Sequence, residues 1–417
     1  MKRNNWRFDS LAIHSGNRCQ DWLGASQVPI YQSVAYRYDT GEELSQCFAG
    51  EKPGFIYQRM HNPTSRVLED RIAELEGGKK ALVFASGMSA ITNTVLALTR
   101  AGDEVISGNS LFLSTYIFFA RILPRYGIRT HFVETDDPEN FREKLNSKTR
   151  LIYLETIGNP RMDVPDIKAI CKLAHNEGIP LAVDNTLATP YLFKPIEAGA
   201  DIVLHSSTKF LNGHGTAVGG VAIDAGKFNW RGKRFPDFAD AVKRAGKLAF
   251  SDKLWREYLI IFGGFQAPFH SYLTLIGLET LALRMKRHLD NAMKLAKFLE
   301  AHPKVKWVNY PGLNSSKYHR TAKKLFENKG YGALLTFGLK NQTQCFNLIR
   351  NLKLCSNLAN LGDAKTLVIH PYSTQYVSFP EQEKQALEIK PEMIRVSVGI
   401  EAFEDIKEDF EQALARI

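Results

Sequence analysis

The 417 residues are 44% hydrophobic and 24% charged, the balance of a soluble globular protein, which excludes a disordered or fibrous chain and suits two ordinary domains plus an extension. The net charge of +10 would suggest nucleic acid if it were spread as a binding face, but residues 226 to 256 alone carry nine Lys or Arg against three Asp. That segment reads as a solvated insertion, or more sharply as a docking face or entrance funnel for an anionic partner, and no nucleic-acid partner is expected.

Residues 1–61 are irregular and polar, an arm more than a domain. Their start, "MKRNNWRFDSLAIHSG", has no apolar run of signal-peptide length, and no later run reaches a membrane span, so a cytoplasmic protein without a membrane partner is expected. Cys19, Cys47, Cys171, Cys345 and Cys355 are odd in number and show no CxxC spacing, which favours reduced, buried thiols over disulfides or zinc. Near the arm's end, "YQRMHNPT" (57–64) joins the phenol of Tyr57 to Arg59, whose planar fork suits a phosphate.

From about residue 65 to 223, short apolar runs alternate with helical patterns. "ALVFAS" (81–86), "EVIS" (104–107), "RTHFVE" (129–134), "RLIYLE" (150–155), "PLAVDN" (180–185) and "DIVLH" (201–205) read as buried strands. Stretches such as "VPDIKAICKLAHNEG", stopped at Gly178, read as the helices between them. The alternation predicts an α/β domain over 62–267, a mostly parallel sheet with helices on both faces. Beyond Pro268 a long helical pattern runs through "LTLIGLETLALRMKRHLDNAMKLAKFLEAH", followed by strands "YGALLTF" and "MIRVSV" and a closing helix "AFEDIKEDFEQALARI". Residues 268–417 thus read as a smaller α+β domain.

Ligands of such sheets bind where the carboxyl ends of the strands open into a crevice. "ASGMSA" (85–90) puts Ser86, Gly87 and Met88 between strand and helix, where free backbone N–H groups attract phosphate. Asp184 of "VDNT" ends an apolar strand, so its carboxylate needs a cation or a hydrogen-bond donor. "HSSTKFLNGHG" (205–215) supplies the hydroxyls of Ser206 and Thr208 and then Lys209, with no acid beside it in sequence. A lysine kept from water has a lowered pKa, and its neutral amine is a nucleophile. One cofactor uses a phosphate site, an acid for a pyridine nitrogen and a lysine for an aldehyde together: pyridoxal phosphate.

With these motifs the chain resembles the pyridoxal-phosphate-dependent Cys/Met-metabolism family of fold type I, from "VPIYQS" at 28 to "IRVSVGIE" at 394–401. "NLANLGDAKTLVIHP" (357–371) and "FNWRGKRFPDF" (228–238) are most similar to its branch acting on O-acetylhomoserine with a sulfur nucleophile. The resemblance implies that Lys209 binds the cofactor aldehyde and serves as general base, that Asp184 holds the pyridinium nitrogen, and that Asn159 meets the phenolic oxygen. It implies that Ser206, Thr208, Gly87 and Met88 hold the phosphate and that Phe112 stacks on the ring. Arg395 would bind the substrate α-carboxylate and Asn360 would line the substrate side. Tyr57, with a catalytic role, and Arg59 would reach a neighbouring subunit's site, in a homotetramer built as a dimer of dimers.

The implied activity is γ-replacement on O-acetyl-L-homoserine to give homocysteine, in methionine biosynthesis, with sulfide, a thiol or a sulfur-carrier protein as donor. Methionine or cystathionine γ-lyase is the alternative, and a weakly catalytic sulfur-relay or binding scaffold the second. The chain departs from the family at Phe112, where a tyrosine is usual, and at Tyr372 and Tyr376 of "HPYSTQY", where smaller or imidazole side chains are common. Cys171 and His175 lie four apart on a predicted helix, but no third ligand is evident and no metal is expected. "GHGTAVGG" (213–220) does not fit a dinucleotide fingerprint and reads as a loop beside the cofactor.

Overall fold

In the structure, a computed structural model, residues 6–17 and 22–417 are described, and Cys19 lies outside them. The expected strands form one sheet: β1 (Lys80–Phe84), β2 (Glu104–Gly108), β3 (Arg129–Val133), β4 (Thr149–Glu155), β5 (Leu181–Asp184) and β6 (Ile202–His205). A seventh, β7 (Gly220–Asp224), completes the order β1-β7-β6-β5-β4-β2-β3. Strands β2 to β6 pair in parallel, while β7 runs antiparallel between β1 and β6. Their near-continuous apolar sequences follow from this, because helices cover both sheet faces. Along β5 and β6, Val183 and Val203 join one core, and Ala182, Ile202 and Leu204 the other.

The C-terminal part has its own sheet, β8 (Trp307–Asn309), β9 (Leu334–Gly338), β10 (Ser356–Asn357), β11 (Leu367–Ile369) and β12 (Met393–Ser397), in the order β10-β11-β12-β9-β8. The long helical pattern is two helices, Pro268–Glu279 and Leu281–Ala301, which meet at Thr280. One apolar cluster runs from Val183 and Leu211 through Met285 to Leu335 and Phe337, so the two sheets are joined by packed core. That continuity fixes β12 relative to the ends of β4 to β6.

The arm is more ordered than its composition suggests. It contains helices Phe8–His14 and Gly41–Ala49, and a single bridge between Ala35 and Tyr57. The basic 226–256 segment is packed as well: Trp230 is buried, stacked on Phe238 at 4.6 Å. Much of its charge is used internally, with Arg244 and Arg256 on Asp252 at 2.8 and 2.9 Å and Arg234 on the carbonyls of residues 146, 147 and 149. No helix among the described residues is long and apolar enough to cross a membrane.

Candidate active site

The carboxyl ends of β1, β2, β4, β5 and β6 converge on a cavity of about 230 Å³. Its lining includes Ser86, Gly87, Met88, Phe112, Asn159, Asp184, Ser206, Thr208 and Lys209, residues drawn from five separate strand ends. The parallel topology causes the convergence, since it turns every strand's exit to the same edge.

At one wall, Ser86 caps helix Gly87–Leu98 by accepting the Ser89 N–H at 3.1 Å. The first N–H groups of a helix lack internal partners, so those of Gly87 and Met88 are available to an anion. Gly87 is needed for the close approach of the next turn: a Cβ there would stand 2.7 Å from Ser206 Cβ. Thr208 contributes less freely, because its Oγ1 is engaged with the Gly219 backbone, accepting its N–H at 3.0 Å.

At the floor, Asp184 is buried, and no ion pair to it exists among the described residues. Thr186 donates both its N–H and its hydroxyl to Asp184 Oδ1, at 2.9 and 2.5 Å. Among the described residues, Oδ2 has only the long 3.4 Å contact from the Tyr153 hydroxyl. Burial pushes the Asp184 pKa up, and the Thr186 bonds oppose that rise. A protonated heteroaromatic nitrogen facing Oδ2 would supply the missing cation.

Lys209 lies opposite, with no carboxylate paired to it among the described residues. Its Nζ donates to Asn360 Oδ1 at 2.5 Å, a contact 151 residues distant in sequence. Burial, and secondarily the charge of Arg395, lower its pKa to about 8. The backbone carbonyl of the same Asn360 accepts from Arg395 Nη2 at 3.2 Å, and Arg395 Nη1 reaches Asn159 Oδ1 at 3.3 Å. Arg395 is 3% exposed and has no acidic partner among the described residues, which leaves a buried guanidinium open to an anion.

Glu155, which the sequence reading passed over, also lines the cavity. Its Oε1 accepts the Phe112 N–H at 2.6 Å, fixing the loop that carries this ring. Burial first, and the nearby charge of Asp184 second, push its pKa well up. It ends an apolar strand just as Asp184 does, and that signal was sufficient to find it.

Tyr57 and Arg59 do not reach this cavity within the protomer. Tyr57 is 39% exposed, Arg59 lies over its ring at 5.3 Å, and Arg59 Nη1 donates to the Ile260 carbonyl at 2.5 Å. Elsewhere, His175 pairs with Asp201 at 2.9 Å above the buried Cys171, and no group of three metal-ligating side chains occurs among the described residues. The glycine-rich loop before β7 lies beside the site, with Val218 on the cavity wall.

The family model for Cys/Met metabolism pyridoxal-phosphate-dependent enzymes matches residues 9–415. The chain belongs to that family. The chain is 44% identical to the homocysteine/cysteine synthase of Saccharomyces cerevisiae, with 98% of each chain covered, and 42% identical to an O-acetyl-L-homoserine sulfhydrylase of Leptospira meyeri, with 99% of this chain and 98% of that one covered. In structure it matches a Campylobacter jejuni protein named for O-acetylhomoserine (thiol)-lyase activity and solved with a pyridoxyl-lysine phosphate, at TM-score 0.95 and 33% identity over 98% of this chain and 100% of that one. A Lactobacillus plantarum cystathionine γ-lyase complexed with L-serine matches at TM-score 0.86 and 32% identity, with 99% of each chain covered. Membership makes the fold that of fold type I enzymes and the cofactor pyridoxal phosphate. The unfilled Oδ2 of Asp184, the free helix N-terminus at Gly87 and the unpaired amine of Lys209 fit that cofactor's nitrogen, phosphate and aldehyde in turn.

Proposed function

We propose that this protein replaces the acetate of O-acetyl-L-homoserine with sulfur from sulfide, giving homocysteine. The observation that carries the reading is the bracketing of Asn360 by Lys209 and Arg395: a carboxylate on the Arg395 fork leaves the amino acid's Cα beside a lysine amine. The names of the relatives, homocysteine synthase and O-acetyl-L-homoserine sulfhydrylase, support the choice of substrate.

In this reading Lys209 holds the cofactor at its aldehyde, while Ser206, Thr208 and the Gly87 and Met88 N–H groups hold its phosphate. Phe112 packs on the ring, and Asn159 meets its phenolic oxygen. Pyridoxal phosphate, when bound, supplies an electron sink conjugated to the substrate's Cα. Asp184 keeps a proton on the pyridine nitrogen. Lys209 Nζ, poised by its lowered pKa, takes the Cα proton and returns one later. At Cγ the bond to acetate oxygen breaks and a bond to sulfur forms. The apolar wall of Ile91, Ile157, Leu187 and Leu361 restricts water, which would otherwise divert the substrate to 2-oxobutyrate.

Tyr57 and Arg59 complete the phosphate side of a second copy's site. The hollow they border also contains Phe48 and Ile260, and Phe48, Ile261 and Phe262 are 60%, 68% and 59% exposed, an apolar rim that supports a dimer. Product analysis by mass spectrometry of the cofactor-loaded protein with O-acetyl-L-homoserine tests the reading. Homocysteine formed only when sulfide is present, with little 2-oxobutyrate, is the expected result. Strong 2-oxobutyrate release with or without sulfide would make the protein a γ-lyase, and no product from either mixture would leave the scaffold reading.

A further inference from the structure

Tyr376 belongs to a strap, residues 371 to 389, that follows β11 and packs on the helix begun by Phe112. The register of β11 on β12 sets Ile369 opposite Arg395, so the strap starts beside the guanidinium. A tight turn follows, in which the Pro371 carbonyl accepts the Tyr376 N–H at 3.0 Å. The strap is pinned from the other side as well. Tyr376, Phe379, Leu387 and Ile389 form a small apolar core with Leu113 and Tyr116, from the helix that Phe112 begins. Arg121 lies over the Phe379 ring at 4.4 Å and pairs with Glu383 at 2.7 Å.

This packing holds Tyr376 at 3% exposure, yet no described residue hydrogen-bonds to its hydroxyl. The hydroxyl oxygen is not sealed in by packed protein and keeps some open space beside it. Burial raises its pKa, and the charges next felt by it are those of Arg395 and Glu155. The phenol therefore remains a proton donor, held beside a guanidinium that has free N–H groups of its own. Arg395 gives one N–H to Asn159 Oδ1 and one to the Asn360 carbonyl, so its remaining N–H groups and the unpartnered phenol are donors in excess of the acceptors they meet, which is half of a carboxylate site.

Building on the amino-acid substrate read above, we propose that Tyr376 is a substrate-binding residue whose hydroxyl donates a hydrogen bond to the α-carboxylate held by Arg395. The role differs from a proton relay replacing the phenol absent at Phe112, because Tyr376 touches the carboxylate end and not the reacting carbons. It also differs from simple filling of the entrance, because it depends on the hydroxyl and not the ring.

The test compares binding of L-norvaline, an amino acid with no γ-leaving group, and n-butylamine, the same molecule without its carboxylate, to the holoenzyme by calorimetry. Tyr376→Phe is expected to weaken L-norvaline by roughly 10-fold or more, the scale of a hydrogen bond to a charged group, and to leave n-butylamine unchanged. Tyr376→His, which keeps a donor, should recover part of the loss. Equal weakening of both ligands, or none for L-norvaline, would overturn the proposal. Failure of the wild-type holoenzyme to bind L-norvaline would instead overturn the amino-acid reading on which it rests. Should Tyr376→Phe not fold, a crystal structure of the wild-type holoenzyme with L-norvaline decides: a Tyr376 Oη within about 3 Å of the carboxylate supports the proposal, and a larger gap or an intervening water overturns it.

Discussion

Half-buried Lys209 and buried Arg395 are cations with no carboxylate paired to either among the described residues, and burial lowers both by a similar amount from different ordinary values. Arg395, which starts higher, ends at about 10 and stays charged, whereas Lys209 ends at about 8 and becomes a base in the working range. In the cofactor-free protein, labelling of Lys209 by an amine reagent should therefore rise through about pH 8, not near 10.5, as followed by peptide mass spectrometry. The linkage has a definite sign. A lysine with a depressed folded pKa binds fewer protons than the unfolded chain between about 8 and 10.5, so its burial penalty fades as pH rises across that window. Asp184 and Glu155, both raised by burial, divide the work differently. Asp184→Asn removes the charge proposed to keep a proton on the ring nitrogen, and kcat should fall by roughly 100-fold or more in steady-state assays. Glu155→Gln keeps an acceptor for the Phe112 N–H and should cost under about 1 kcal/mol of stability, while Glu155→Ala should cost about 1–3 kcal/mol, measured by thermal unfolding of the holoenzyme.

At the scale of elements, the turn from β1 into helix Gly87–Leu98 shows how a small residue makes a site. Gly87→Ala would place its Cβ 2.7 Å from Ser206 Cβ and 2.9 Å from Ser206 Cα, driving apart the helix N-terminus and the turn that leads to Lys209. Affinity for pyridoxal phosphate should fall by roughly 10-fold in an absorbance titration, with the far-ultraviolet circular dichroism unchanged, since the helix itself tolerates alanine. The strands carrying these turns were legible in the sequence because buried parallel strands are written as unbroken apolar runs. Strand β7 escaped notice because it begins on a glycine of the "GHGTAVGG" loop, which leaves only the short apolar run "VAI" to mark it. The break at Thr280 escaped because the nearest glycine, Gly277, lies inside the first helix, and both flanking helices keep apolar residues at helical spacing. Asp184 and Lys209 could be read from chemistry alone, as polar groups where an apolar strand ends. The contacts of Asn360 with Lys209 and of Glu155 with Phe112 join segments far apart in the chain, and only tertiary packing brings them together.

The whole molecule leaves one pair of residues without a place in its own cavity. Arg59, proposed above to bind a phosphate, contacts Tyr57 and the Ile260 carbonyl on an apolar, exposed face, away from the phosphate side of its own cavity. In a two-fold dimer each arm can serve the partner's cavity, because an isologous interface repeats every contact in both directions. This predicts complementation between two inactive proteins. Lys209→Ala and Arg59→Ala, each nearly inactive alone, are mixed, dissociated and reassociated. Every mixed dimer then has one site with both lesions and one with neither. Half of a random population is mixed, so activity should recover to about a quarter of wild type. If each arm served its own subunit, all sites would keep one lesion and no activity would return. The recovered fraction thus measures where Arg59 acts, and it does so without depending on which sulfur donor the enzyme accepts.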